Sequence, residues 1–447
     1  MSDLLDYHDA LNTLLTTHGP VAGEEQAPLA CLNLRVLARD VGVRYDVPAF
    51  DNSAMDGYAI NGNDCGHWTV VHRIAAGDPG AQSVLQRGEA ARIFTGAPLP
   101  QGATAVLMQE NVHLDADKKI ITLSAAATAT TTAMTAATAM TAVTAATAGA
   151  AATVAAGAGP RAETPVAPAV ADGMNIRRQA EELRHGTTLL PAGLRLRPAA
   201  VGLLAEQGYT HAPCVRQVKV TVFATGNELI EPGNPLQPGQ IHNSNGHMLA
   251  ALLRAQGFAV TEGGILPDQL AATRDALKRA AQESDAIVCS GGVSVGEEDH
   301  LKAALEEVGE LTQWRLLIKP GKPFTWGRIG DCRVFMLPGN PVSSLVTFQQ
   351  LALPALLRMA GLSDEQARPW QVQARADFSR SKIESRREFL RVSLEGGPDG
   401  YRARPMQRQG SAMLSGAVFA QALAEIPPGG LVEPGQALTV YPLGDRF

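Results

Sequence analysis

A short apolar run, Ile287-Val288-Cys289, breaks abruptly into Ser290-Gly291-Gly292-Val293-Ser294-Val295-Gly296-Glu297-Glu298-Asp299. This is the pattern of a buried strand opening into a loop. Gly291, Gly292 and Gly296 permit tight turns and close backbone approach, and the free N–H groups of such a loop, with Ser290 and Ser294 beside them, suit a phosphate. The acids that follow have the chemistry to hold a metal or to activate a leaving group. A plain tight turn uses the same residues, so this stretch alone leaves both readings open.

Other segments carry groups of the same kind. In Lys319-Pro320-Gly321-Lys322-Pro323, proline and glycine hold two lysines three residues apart, a stiff cationic loop suited to a compact oxyanion. Thr225-Gly226-Asn227-Glu228, Pro267-Asp268 and Pro338-Gly339-Asn340-Pro341 are further polar or Gly/Pro loops. Nearer the N-terminus, Phe50-Asp51-Asn52-Ser53-Ala54-Met55-Asp56-Gly57 is either a turn held by Asx hydrogen bonds or a presentation of carboxylates to a ligand. Thr95, in Ile93-Phe94-Thr95-Gly96-Ala97, is either a turn hydroxyl or a ligand contact. Arg177 and Arg178 beside Glu181 and Glu182 make either a solvated charged turn or a basic hook next to an acidic site.

The elements that must position these loops follow from periodicity. From Val218 to about Met359 strand-like apolar runs alternate with helical patterns: strands at 218–224, from 258, at 286–289, 316–318 and 334–337, and helices around Met248–Leu253 and over 270–283, 301–308 and 342–359. Such alternation predicts a mainly parallel, doubly wound sheet covered on both faces, with ligands bound beyond the carboxyl ends of its strands. All five loops between Thr225 and Pro341 then arrive at one sheet edge, and their convergence favours a site over five separate turns. Leu4, Tyr7, Leu11, Leu14 and Leu15 predict an opening amphipathic helix. Trp68–Gln109 reads as β-structure with many turns, and the runs 371–378, 389–394 and 438–441 as a small antiparallel β-domain.

The expected organisation is therefore α/β and multidomain. Residues 1–47 and 160–217 form an N-terminal and linking domain, 48–123 an elongated β-rich domain, 218–360 the central sheet domain and 361–447 the C-terminal β-domain. Residues 124–159 are an Ala/Thr-rich low-complexity insertion, too poor in large apolar groups to build a core.

Of the 447 residues, 45% are hydrophobic and 18% charged, a soluble globular composition. No strongly apolar run of spanning length and no signal-peptide pattern occurs, so a cytoplasmic protein is expected, with no membrane partner. A net charge of −6 argues against a nucleic-acid-coating surface. Five scattered cysteines without a C-x-x-C pair suit buried small-apolar roles in a reducing compartment.

Taken together and in this order, 50–59, 95–97, 175–177, 290–296, 318–323 and Leu337-Pro338-Gly339-Asn340-Pro341-Val342-Ser343 resemble the molybdopterin molybdenumtransferase family, which includes bacterial MoeA and the E domain of gephyrin. The resemblance covers nearly the whole chain outside the Ala/Thr insertion. It implies an elongated homodimer with its active site between the sheet domain of one subunit and the Asp56-bearing region of the other. It also implies a reaction in which adenylylated molybdopterin and molybdate, with Mg²⁺, give molybdenum cofactor and AMP, with other proteins of the same biosynthesis as partners.

By the same resemblance, Asp56, Asp268, Asp299 and Glu181 are the catalytic acids, and Asp268, Asp299 and Glu228 the metal ligands. Ser290, Gly291, Gly292, Ser294 and Gly296 fall on the pterin-phosphate side, with Thr95, Pro338, Gly339 and Asn340 also contacting substrate. Molybdate is placed by Lys319, Lys322, Pro323 and Ser343, together with Arg386 and Ser415. Physical chemistry is consistent with these roles: paired ammonium groups lower the free energy of a compact dianion in a partly dry site, and a carboxylate-held Mg²⁺ with backbone N–H groups stabilises charge developing on phosphate oxygens.

The chain departs from the family pattern at Asn227, where Asp is usual, and at Ala180, Glu182, Gln269 and His300. An amide in place of a carboxylate removes a negative charge and a hard-cation ligand. An alternative expectation is therefore a diverged paralogue that binds molybdopterin or the finished cofactor with little turnover. The related adenylyltransferases are a third reading, against which the extra domains and the lysine loop argue.

Overall fold

The structure, a computed structural model, describes residues 4–21, 23–78, 83–124, 170–292 and 300–444. Apart from Ser124, the Ala/Thr insertion at 124–159 lies outside the described residues. The chain forms two compact units, Gly42–Leu189 and a larger one built from Met1–Val41 and Leu190–Phe447.

The larger unit begins with helix α1 (Tyr7–Thr17), whose N-cap Asp6 accepts a hydrogen bond from the His8 N–H. Tyr7, Ala10, Leu11, Leu14 and Leu15 recur at helical spacing and are its buried face. After an antiparallel pairing of Glu24–Pro28 with His211–Val215, the alternating segment begins. Its elements are β1 (Lys219–Thr225), α2 (Asn245–Ala255), β2 (Ala259–Leu266), α3 (Leu270–Glu283), β3 (Ala286–Ser290), α4 (His300–Val308), β4 (Glu310–Arg315), β5 (Pro323–Ile329) and β6 (Cys332–Leu337). Helices α5 (Pro341–Thr347) and α6 (Leu353–Met359) follow, joined by a π-helical turn at Phe348–Ala352.

The strands lie in the order β2-β1-β3-β6-β5-β4. The first four are parallel, while β5 and β4 are antiparallel. Strand order reverses between β1 and β3, because the chain leaves β1 toward β2 and returns on its other side. A crevice opens at such a point beyond the carboxyl ends of the two strands. Both faces are covered. Val288, Phe335 and Leu337 pack with α1, α2 and the α5–α6 helices, whereas Ile287, Cys289, Val334 and Met336 pack with α3 and α4. Two buried faces explain why these strands read as continuous apolar runs rather than alternating ones.

The expected strand at 316–318 is displaced. β4 ends at Arg315, and Ile318-Lys319 instead pairs with the start of a C-terminal strand. That C-terminal part contains β7 (Val372–Ala376), β8 (Arg387–Gly397), β9 (Gly400–Pro405), β10 (Ala422–Ile426) and β11 (Ala437–Pro442). They close in the order β8-β9-β7-β11-β10-β8, a small barrel filled by Val392, Ala403, Ala422, Ala424 and Val440. Closure removes the exposed edges that an open five-stranded sheet would carry.

The second unit holds a six-stranded sheet in the order Ala105–Met108, Gly57–Ile60, Glu89–Ile93, His67–Ile74, Ile120–Leu123 and Val112–Leu114. Trp68, Ile60 and Ile121 fill one side; Ile74, Ile93 and Val106 fill the other. All five cysteines are free thiols, and burial pushes the thiols of Cys289 and Cys332 up. Among the described residues no helix is long and apolar enough to cross a membrane.

Candidate active site

Four parallel strands end at one edge of the sheet, and the loop after each enters a single cavity of about 1100 Å³. Thr225 ends β1 and Gly226 and Glu228 follow it, Asp268 follows β2, Ser290 ends β3 and Gly291 and Gly292 follow it, and Pro338, Gly339, Asn340 and Ser343 follow β6. The lysine loop reaches the same edge because β5 is antiparallel: it links the end of β4 to the start of β5, where Arg315 pairs with Pro323. Lys319, Lys322 and Pro323 thereby join the lining. Ser294, Gly296 and Asp299 lie outside the described residues.

Gly291 is required by close approach. Its φ is +99°, and a Cβ there would sit 2.5 Å from Thr225 Oγ1 and 2.6 Å from Thr225 O. The β3 loop thus lies directly on the end of β1. Gly291 also donates its N–H to Leu337 O at 3.0 Å, so this donor belongs to the protein. Gly321, at φ +104°, brings the lysine loop so close to α5 that a Cβ would meet Thr347 Cγ2 at 2.5 Å.

On the acidic side, Asp268 and Asn227 form a reciprocal pair. Asn227 N donates to Asp268 Oδ2 at 3.1 Å, and Asp268 N donates to Asn227 Oδ1 at 3.2 Å. The amide at 227 therefore links the β1 and β2 loops through its oxygen, a contact that a carboxylate would also make. Gln269 is the N-cap residue of α3 without a side-chain cap, and His300 begins α4.

On the cationic side, the parallel pairing of Lys319 with Glu388 brings the barrel against the lysine loop. Lys319 Nζ lies 3.0 Å from Glu384 Oε2 and 3.3 Å from Glu388 Oε1. Arg386, which lines the cavity, donates from Nε to Glu384 Oε1 at 3.1 Å. Hydrogen bonds from Lys319 and then Arg386 hold the Glu384 carboxyl down to about 2. Glu388 is buried and also pairs with Arg380. The two lysines expected as an equivalent pair are thus unlike: Lys319 is held between carboxylates and Lys322 is exposed.

Two positioning residues gave no local signal in the sequence. Asn245, at the start of α2, donates from Nδ2 to Ser290 Oγ and to Gly339 O, both at 2.7 Å, tying two cavity loops together. Arg391, on β8 and 1% exposed, bonds the carbonyls of Arg408, Gly410 (3.2 Å) and Met413 (3.3 Å) and so braces a loop that lines the cavity. Burial lowers the pKa of its guanidinium. Within that loop it is Ser411 that lines the cavity, while Ser415 is exposed next to Leu414.

The remaining expected residues lie in the second unit. Asp56 Oδ1 accepts from the Thr95 N–H and hydroxyl, each at 2.8 Å, and these bonds hold its carboxyl below the usual range. Glu181 Oε2 accepts from Arg178 N at 2.8 Å, and Arg178 Nη1 donates to Asp51 Oδ2 at 2.7 Å. The 175–182 segment is therefore a turn closed by the Glu181 carboxylate on the Arg178 backbone N–H and fastened to Asp51.

The chain matches three family models in sequence order. Residues 5–208 match the MoeA N-terminal region (domain I and II), residues 221–358 a probable molybdopterin binding domain, and residues 373–443 the MoeA C-terminal region (domain IV). A molybdopterin molybdenumtransferase of Haemophilus influenzae is 34% identical over 413 residues, 91% of each chain. A molybdopterin molybdenumtransferase 2 of Mycobacterium tuberculosis is 33% identical over 383 residues, 82% of each chain. A solved molybdopterin biosynthesis MoeA protein from Pyrococcus horikoshii OT3 aligns over 99% of this chain and 100% of its own, with 27% identity and a TM-score of 0.75.

Proposed function

The chain belongs to the MoeA family of molybdopterin molybdenumtransferases, enzymes of molybdenum cofactor biosynthesis, and from that premise we propose that its cavity inserts molybdate into adenylylated molybdopterin and releases AMP. One observation carries the reading. The carboxyl ends of four strands and a cationic loop line the same cavity, with Asp268 and Glu228 in the loops after β2 and β1 and Lys319 and Lys322 in the loop between β4 and β5, at the other end of the strand order.

In this reading Ser290 and Gly292, held in place by Asn245 and the Gly291 turn, receive the pterin phosphate. Lys319, Lys322 and Arg386 receive the molybdate dianion, with Pro323 and Ser343 shaping its seat. Asp268 and Glu228 offer hard carboxylate oxygens on the opposite side. Mg²⁺ fits that donor set, because it is commonly held by one or two carboxylates together with substrate phosphates. Among the described residues no three His, Cys, Asp or Glu groups gather closely enough to hold a metal by themselves. Asp268 and Glu228, with Asp299, are the residues that would hold the ion, which when bound draws charge from the oxygens of the phosphoanhydride. The protein's own part is to orient the anhydride, keep the oxyanion beside it and separate like charges until the leaving AMP departs.

The reading extends to a cytoplasmic homodimer in which a second copy supplies Asp56 and Thr95 to the site. A binding paralogue with little turnover remains the second reading, favoured by the amide of Asn227 beside Asp268, which lacks the negative charge and hard-cation ligand a carboxylate would bring there. The two are separated by incubating the purified protein with adenylylated molybdopterin, molybdate and Mg²⁺ and following AMP. Molybdate-dependent AMP release is the expected result, and tight pterin binding without it overturns the transfer reaction.

A further inference from the structure

The cation pair assigned above to molybdate already has an anion of the protein on it. Glu384 gives one carboxylate oxygen to Lys319 Nζ at 3.0 Å and the other to Arg386 Nε at 3.1 Å. Resting on the oxyanion reading of these two residues, we propose that the Glu384 carboxylate competes with the substrate oxyanion for Lys319 and Arg386 and thereby sets the site's affinity for dianions.

Glu384 and Glu388 both touch Lys319, but only one of them is placed to yield. Glu388 lies on β8, is 6% exposed, and has Arg380 as a second cation. Glu384 lies in the irregular segment before β8, where Ser381, Lys382, Ile383 and Ser385 are all exposed and Ile383 reaches 70%. Its backbone is held by one described bond, from Gly429 N to Glu384 O at 2.8 Å. The segment can therefore release the carboxylate without uncovering core, whereas Glu388 is buried on a paired strand, and withdrawing its carboxylate would leave Arg380 without that partner.

Charge points the same way. Lys319, Arg380 and Arg386 face Glu384 and Glu388, leaving a net single positive charge, to which Lys322 adds another. A dianion entering beside Glu384 meets like charge at close range in a partly desolvated site, where such repulsion is strong. Exchange of carboxylate for oxyanion relieves it and keeps both cations paired. The cost is a weaker apparent affinity, in return for cations held in place and screened from casual anions.

The test is a calorimetric titration of molybdate, and separately of sulfate, into the full chain at fixed ionic strength. Glu384→Gln should bind both dianions about ten-fold more tightly than the unsubstituted protein, the scale expected on removing one nearby charge. Glu384→Ala, which also removes the hydrogen bonds, should shift affinity in the same direction. In turnover, KM for molybdate should fall with Glu384→Gln while kcat does not rise. If Glu384→Gln binds molybdate equally or more weakly while Lys322→Ala loses affinity, Glu384 only braces its neighbours and the inference fails with the oxyanion reading intact. If neither the unsubstituted protein nor Glu384→Gln binds molybdate, the oxyanion reading itself fails and takes the inference with it.

Discussion

Lys319 meets Glu384 across 65 residues of sequence, and that separation explains what was legible at the scale of single residues. Residues that announce themselves locally, such as the lysines between prolines and glycine, stood out at once. Glu384, Glu388, Asn245 and Arg391 act through distant partners and leave no local pattern. His18 is a further case, a histidine just past α1 that carried no sequence signal. It is 2% exposed, packs on the rings of Trp326 and Phe335, and its Nδ1 lies 2.8 Å from Leu14 O. An Nδ1–H donor satisfies that carbonyl and leaves Nε2 buried without a partner among the described residues. Charging the ring would place a proton on Nε2 with no acceptor, and burial accordingly lowers the pKa from 6.5 to about 4. Since the unfolded chain binds this proton first, stability present above pH 6.5 is lost as pH falls toward 4. At ~1.4 kcal/mol per unit, the loss between pH 7 and 4.5 is about 2–3 kcal/mol. Urea melts across that range should show it, and His18→Gln should flatten the slope; an unchanged slope would mean that His18 does not titrate in this way.

At the scale of elements, strands buried on both faces and the amphipathic α3 were readable, because continuous apolar runs and a 3.6-residue period are strong signals. β9 and β10 were not. In Gly-Tyr-Arg-Ala-Arg-Pro only Ala403 is buried, and Ala-Leu-Ala-Glu-Ile is a short run with two alanines and an internal glutamate, buried only because the barrel closes on it. The displaced strand near Leu316 has a similar cause, since Ile318-Lys319 pairs with a strand about seventy residues away that no local window contains. Glycine, by contrast, marked the β3 turn correctly, and its role there has a measurable consequence. Gly291→Ala places a Cβ against Thr225 at a left-handed φ, so a loss of about 1–3 kcal/mol is expected. Gly339→Ala makes a useful contrast, as its Cβ would come no closer than 3.8 Å to Gly291 Cα. Thermal melts should show a clear drop for the first and nearly none for the second. Equal drops would mean that the β3 loop does not depend on the contact with Thr225.

At the scale of the whole molecule, the proposed homodimer would set Asp56 of one copy beside the lysine loop of the other, an arrangement that no property of a single chain reveals. Asp56, fixed by Thr95, belongs to the unit 42–189, and Lys322 lines the cavity of the other unit. If each site in a homodimer draws Asp56 from one copy and Lys322 from the other, Asp56→Asn and Lys322→Ala homodimers should each be strongly impaired. Mixed and allowed to exchange subunits, half the dimers become hybrids, and each hybrid has one site with both residues intact and one with neither. Random assortment in equal parts should therefore restore about a quarter of the original AMP release. If both residues served the same site from a single chain, every site would keep one defect and mixing would restore nothing. The measurement thus turns subunit arrangement into a rate, and sedimentation of the mixture reports whether the copies associate at all.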